Sequence, residues 1–268
     1  MDKRPIGVFD SGLGGLTFVK ELKTIMPNED IVFFGDTGRV PYGTRSRDTI
    51  ETYARQDEQF LLSKDVKMIV AACGTVSSVA PNTADDLPVP FLGVVKPAAA
   101  AAAKATRNGK IGVLGTNATI NSGAYNKALL EIDRSFQIVC VACPLFVPLV
   151  EEGLISRDEQ ITILAAKRDL TNIISAGVDT LILGCTHYPL IASIIGDILG
   201  DDVTLISAGG ATAHACRELI INSGLQNDEN RNGECSYYVT DSPESFTHTA
   251  KLFMQEEVSA AVSRVYVG

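Results

Sequence analysis

The chain is short of positive charge. Lys and Arg number 23 against 32 Asp and Glu, a formal net charge of −9, and no local Lys/Arg cluster offsets the deficit. Nucleic acid and anionic membrane surfaces, which are held by clustered cations, are therefore not expected partners. Long apolar runs are also missing. The longest, Ile138 to Val150, is broken by Pro144 and Pro148 and is too short to cross a bilayer. The opening Met1-Asp2-Lys3-Arg4-Pro5 leads within a few residues into a strand-like run, so no apolar targeting segment is expected. The six cysteines follow no framework spacing, which excludes a disulfide-stapled mini-protein and fits free thiols in a reducing cytoplasm. Cys140-Val141-Ala142-Cys143 has the spacing of a redox or zinc motif, but no second such pair exists to complete four ligands. No metal is expected, and core packing is the expected role of that pair. Tryptophan is absent, yet 46% hydrophobic residues and 10 Phe give an ordinary globular composition with ample core in 268 residues.

What is present is an alternation. Short β-branched runs at Ile6–Phe9, Ile31–Gly35, Met68–Ala72, Ile111–Leu114, Gln137–Ala142, Thr180–Leu183 and Val203–Ile206 are separated by longer helical patterns. This is the mark of an α/β fold with mainly parallel sheets flanked by helices. Each run is followed by Gly, Ser, Thr, Asp or Cys, and ligands of open parallel sheets bind at those carboxyl ends. Pro97 before the alanine run 98–103, with Lys104, Arg107 and Gly109 after it, predicts a helix that begins a second lobe. Residues 226–234 read as a surface loop, 237–240 as a final strand, and 243–262 as a closing helix.

A weak repeat runs through this pattern. Ile6-Gly7-Val8-Phe9-Asp10-Ser11 resembles Ile111-Gly112-Val113-Leu114-Gly115-Thr116, and residues 67–75, ending Cys73-Gly74-Thr75, resemble residues 179–187, ending Cys185-Thr186-His187. Two matches in the same order at nearly equal offsets predict a duplicated α/β half. The two halves would then face one cleft, with Cys73 opposite Cys185. Each cysteine ends an apolar strand and precedes a turn expected to open a helix, where the helix dipole lowers a thiol pKa. Asp10 and Ser11 suit a small zwitterion, the carboxylate meeting an ammonium group and the hydroxyl a carboxylate. The glycine spacing after them is a poor dinucleotide loop, because Thr17 stands in the third glycine position. Tyr42 and Gly43 offer a hydroxyl and a close backbone approach. His187 is placed to tune Cys185, while His214 and His248 read as structural. Glu151 and Glu152 are helix-surface charges of which one is expected to line the cleft. Two acid/base groups flanking one carbon are what inversion of a stereocentre requires, with no cofactor needed in principle.

The motifs Phe9-Asp10-Ser11-Gly12-Leu13-Gly14-Gly15, Pro41-Tyr42-Gly43, the Cys73 turn and Gly184-Cys185-Thr186-His187-Tyr188-Pro189-Leu190 together resemble the glutamate racemase family of cofactor-independent aspartate/glutamate racemases. That resemblance implies interconversion of L- and D-glutamate, with D-glutamate feeding peptidoglycan synthesis in a bacterial cytoplasm. It also implies a homodimer of two-lobed subunits, here 1–96 with 208–268 as one lobe and 97–207 as the other. Carried over by motif, it gives Cys73 the D-enantiomer and Cys185 the L-enantiomer. Asp10, Ser11, Tyr42, Gly43, Gly74, Thr75, Thr116, Thr119, Thr186 and His187 would line the substrate, and Asp10, Glu152 and His187 would tune the thiols. The family's first cysteine turn is normally Cys-Asn-Thr, whereas Gly74 stands here; the lost amide removes up to three hydrogen bonds, each on the order of 1 to 3 kcal/mol. Asn at position 74 is on that basis expected to tighten glutamate binding. The stretch Ile206-Ser207-Ala208-Gly209 also lacks the acidic residue the family more often places before a Ser-Gly pair. A racemase of aspartate or another amino acid, and a catalytically idle amino-acid-binding regulator, remain the alternatives.

Overall fold

A computed structural model describes residues 2–255, 258 and 260–267. Two parallel sheets form its centre. The first has the strand order β10-β9-β2-β1-β3-β4, with β1 at Ile6–Asp10, β2 at Ile31–Gly35, β3 at Met68–Ala71, β4 at Phe91–Gly93, β9 at Cys235–Val239 and β10 at Val262–Arg264. The second has the order β6-β5-β7-β8, with β5 at Lys110–Gly115, β6 at Gln137–Ala142, β7 at Thr180–Leu183 and β8 at Thr204–Ser207. Helices α1 (Leu16–Ile25), α2 (Arg47–Leu62) and α3 (Gly74–Val79) follow β1, β2 and β3, and α4 (Val95–Ala105) follows β4. In the second half α5 (Asn117–Asn121) and α6 (Ala124–Ile132) follow β5; α7 (Phe146–Glu151), α8 (Gln160–Asp169) and α9 (Thr171–Ala176) follow β6; and α10 (Ala192–Leu199) follows β7. The long α11 (Ala208–Asn222) returns the chain to the first sheet and packs on α1 and α4, and α12 (Pro243–Met254) joins β9 to β10.

The repeat read from the sequence is a repeat of topology. The order β2-β1-β3-β4 is matched by β6-β5-β7-β8, and the registers coincide: Ile6 pairs with Met68 in the first sheet as Ile111 pairs with Thr180 in the second. Period-2 side-chain alternation sends Val8 and Phe33 to the core under α1 and α12, and Phe9 and Phe34 to the opposite core under α2. Burial on both faces is why β1, β2 and β3 read as continuous apolar runs. Each fully buried large apolar side chain contributes about 1.5 to 3 kcal/mol over exposure.

Three expectations need correction. The helix expected to reach Val262 stops at Met254, where Gln255 takes a left-handed conformation (φ 56°) that ends a helical turn, and Val262–Arg264 pair with β9. Glu256, Glu257 and Ser259 lie outside the described residues. The 226–234 loop is not wholly superficial, since Asn227 is buried and its backbone N–H donates to Glu29 at 2.9 Å. The edge strand β4 was not foreseen.

Candidate active site

In each sheet the chain runs one way from the first strand and the other way from the third, so β1/β3 and β5/β7 are topological switch points. The carboxyl ends of these four strands face one cavity of about 340 Å³. The first half delivers Ser11 after β1, the Pro41–Thr44 turn beyond β2, and Cys73, Gly74 and Thr75 after β3. The second delivers Thr116, Asn117 and Thr119 after β5, Cys143 and Pro144 after β6, and Gly184, Cys185, Thr186 and His187 after β7. Cys73 and Cys185 thus line one cavity from opposite sheets, both nearly buried at 4% and 8% exposure.

The halves touch around this cavity. Thr75 and Thr116 share a hydrogen bond of 3.2 Å between their Oγ1 atoms, Thr116 donates to Thr119 Oγ1 at 3.1 Å, and the Thr17 hydroxyl donates to the Thr186 carbonyl at 3.2 Å. Thr116 also caps α5, accepting from the Thr119 N–H. Gly74 abuts the carbonyl of Gly184 so closely that any Cβ there would collide with it. Asparagine at 74 cannot simply be added to this closed arrangement, which corrects the expectation that it would tighten binding.

The surroundings of the two thiols differ. Cys73 is pushed up to about 12, first by burial and then by the neighbouring Asp10 carboxylate, against the opposing hydrogen bonds of Ser11 and the Val76 and Ser11 amides. Helix α3 is six residues long, and its dipole does not overcome desolvation, so the expected lowering of this thiol is overturned. Cys73 Sγ donates to Ser11 Oγ at 3.3 Å. On the other side no α-helix opens at Cys185; a 3₁₀ turn at Tyr188–Ile191 intervenes before α10. Its neighbour in the site is His187. Burial alone would depress His187, but hydrogen bonds with Cys185 and Glu151 and the negative charge of both raise it to about 10. Its Nδ1 lies 3.8 Å from Cys185 Sγ and its Nε2 3.0 Å from Glu151 Oε1, and Phe253 packs edge-on against the ring at 5.2 Å.

The carboxylate at the cavity is therefore Glu151, not Glu152. Glu152 lies one step past the end of α7, exposed on the outer surface, and takes no part in the cavity wall. Tyr42 lines the cavity, but its hydroxyl is committed to the buried carboxylates Asp36 and Asp57 and is not offered to a ligand. Asp10 lies behind the wall: one oxygen accepts from the Gly12 N–H at 3.0 Å, and the other is buried without a partner. Burial raises its pKa. Sequence reasoning missed Asn117, Pro144, Val147 and Pro148 on the wall and assigned Cys143 to the core; Cys143 is in fact both, fully buried and lining the cavity. Its position one residue past β6, at the sheet's carboxyl edge, was the available signal. Among the described residues no group of three or more His, Cys, Asp or Glu side chains is arranged to hold a metal ion.

The sequence profile of the Asp/Glu/hydantoin racemase family matches residues 10–216. The chain belongs to that family. Similar members include the glutamate racemase of Geobacter metallireducens, 42% identical over 255 residues covering 95% of this chain and 94% of that protein. The glutamate racemase of Chlorobaculum tepidum is 43% identical, with 95% and 93% covered. Among solved structures, a glutamate racemase isoform of Bacillus anthracis superposes with a TM-score of 0.94 at 37% identity, covering 99% of this chain and 98% of that one. The glutamate racemase of Francisella tularensis in complex with D-glutamate gives 0.91 at 38% identity, with the same coverage. In this chain the cavity takes one cysteine from each sheet.

Proposed function

We propose that this racemase interconverts L- and D-glutamate without a cofactor, with Cys73 and Cys185 as the two acid/base groups. The observation that carries the reading is the convergence of these thiols, from duplicated strand ends, on one cavity. With L-glutamate bound, Cys185 takes the α-proton while the Cys73 thiol donates its own to the opposite face. The product is D-glutamate, and the two sulfurs have exchanged protonation states. The reverse reaction begins from that exchanged state. Protonated His187, held by Glu151, stabilises the Cys185 thiolate that takes the α-proton, and the same thiolate when it forms again in the reverse direction. Positioned proton transfer supplies roughly 10² to 10⁴ of the rate, and exclusion of water by the closed cleft adds to it.

No Lys or Arg among the described residues lines the cavity, so the two substrate carboxylates fall to neutral donors: the hydroxyls of Ser11, Thr75, Thr116, Thr119 and Thr186 and the backbone N–H groups of Gly43 and Gly74. Asp10, behind Cys73, offers its unpartnered oxygen toward a substrate ammonium once the cleft relaxes. In this reading residues 1–96 with 208–268 form one lobe and 97–207 the other. The product supplies peptidoglycan synthesis in the cytoplasm, a setting supported by the six free thiols. No helix among the described residues is long and apolar enough to cross a membrane. A homodimer is part of the same reading; exposed Ile161 and Leu164, beside Leu145 and Leu149, offer it an apolar face, and a monomeric sedimentation coefficient would remove it.

The test is a substrate panel. Purified protein is incubated without cofactor with L-glutamate, L-aspartate and L-alanine, and the enantiomers are separated by chiral chromatography. Inversion of glutamate, lost in both Cys73→Ala and Cys185→Ala, is the expected result. Inversion of aspartate alone, or undiminished activity in either variant, overturns the assignment.

A further inference from the structure

Behind the cleft wall lies a second cluster of ionisable groups that the proton-transfer scheme does not use. Asp36, immediately after β2, and Asp57, on α2, are both fully buried. The Tyr42 hydroxyl sits between them, in very short contact with Asp36 Oδ2 and 3.1 Å from Asp57 Oδ2. Arg39 reaches the same pair, Nε to Asp36 Oδ2 at 2.5 Å and Nη2 to Asp57 Oδ1 at 3.1 Å, and stacks on Tyr53 at 4.1 Å. The second oxygen of Asp36 accepts from Thr240 at 2.8 Å.

Counting protons decides the state of this cluster. A phenol carries one hydrogen, so Tyr42 cannot donate to both carboxylates; one of its two oxygen contacts needs a proton from the carboxyl side. Two buried carboxylates facing one guanidinium would also leave a net negative charge out of water. Asp36 is the better-served anion, with donors from Arg39, Tyr42 and Thr240. Asp57 is the poorer one, and burial followed by the Asp36 charge raises it well above the usual carboxylate range.

We propose that Asp57 is a neutral carboxylic acid donating to the Tyr42 oxygen while Tyr42 donates to ionised Asp36. This buried relay, closed by Arg39, positions the Tyr42–Gly43 turn of the racemase. The turn matters because Gly43 comes against Thr116 of the other sheet, where a Cβ would stand 3.1 Å from the threonine Cβ, and Thr116 anchors the hydroxyl array of the cavity. Asp36, Asp57 and Arg39 touch no substrate; they are positioning residues. The inference that they affect turnover rests on the glutamate racemase reading, whereas the proton on Asp57 does not.

The test has two independent parts. The first is carbon-13 NMR of wild-type protein labelled at the aspartate side-chain carboxyl. It should give a protonated aspartic acid at neutral pH whose signal moves in Tyr42→Phe, while that of Asp10, also buried, stays put. A wild-type spectrum with no protonated carboxyl responsive to Tyr42→Phe overturns the proposal, whatever the enzyme's activity. The second is kinetic. Asp57→Ala should raise KM for glutamate about tenfold with little change in kcat, and Asp57→Asn, whose amide donates as the acid does, should restore it to within about twofold. Equal damage from Asn and Ala would mean that a charged Asp57 is required, and the relay would be wrong. Absence of racemisation in the wild type would instead strike the functional reading and leave the NMR result standing.

Discussion

The environment of His187 alters its chemistry. Its folded-state pKa, about 10, stands above the ordinary 6.5, because partners with negative charge on both ring nitrogens outweigh burial. A histidine raised in this way stabilises the fold fully below pH 6.5, and that stabilisation is lost as pH rises through about 10. Urea midpoints measured from pH 6.5 to 9 should therefore decline in the wild type and decline less in His187→Gln. Parallel slopes would mean that the imidazole does not hold its proton in the folded state. The same scale shows why the sequence misjudged Cys73. A strand end before a helix is visible in the order of residues, but desolvation and the approach of Asp10, distant in sequence, are not, and they win. Tyr42 misled for the same reason: that its hydroxyl is taken depends on Asp57, supplied by a different element.

At the scale of elements, the contact between the first turn of α3 and the 184–185 turn after β7 sets the width of the cleft. Gly74→Ala inserts a Cβ against the Gly184 carbonyl, and backbone on both sides leaves little room to yield. The two sheets must separate, and since misplacement by about 1 Å can cost roughly 10²-fold in rate, kcat/KM for glutamate should fall by between about 10- and 100-fold. Kinetics of Gly74→Ala equal to wild type would show that the closed contact is not the working one. Elements with two buried faces were legible, since β1, β3, β5 and β7 are continuous apolar runs with repeated chemistry at their ends. The three-residue strands β4 and β10 were not. Both sit at sheet edges and are only partly buried, so they carry neither the length nor the alternation that reveals a strand. The choice between Glu151 and Glu152 turned on one residue of helical phase at the end of α7, which a boundary uncertain by that much cannot give.

At the scale of the whole molecule, the cleft occupies the carboxyl ends of the strands while the opposite end of the first sheet is locked. Lys67, at the start of β3, is fully buried with Glu29, and its ammonium also donates to the carbonyls of Asp2 at 3.0 Å and Leu225 at 2.7 Å. Glu29 in turn accepts from the Asn227 N–H. The pair ties the chain's start, the loop before β2 and the loop after α11 together, far from the carboxyl ends that carry the chemistry. Removing one partner leaves an uncompensated buried charge, so Glu29→Ala should lose about 3 to 5 kcal/mol of stability, read from denaturant midpoints. A loss under ~1 kcal/mol would mean the lysine finds other company. A rigid base beneath the strand ends helps hold two thiols in register on one carbon. The most direct test is racemisation of L-glutamate in deuterated water, sampled early. Two separate groups predict D-glutamate carrying deuterium at Cα while the remaining L-glutamate keeps its protium. D-glutamate formed with the original hydrogen, or deuterium appearing equally in both enantiomers from the outset, would contradict the account.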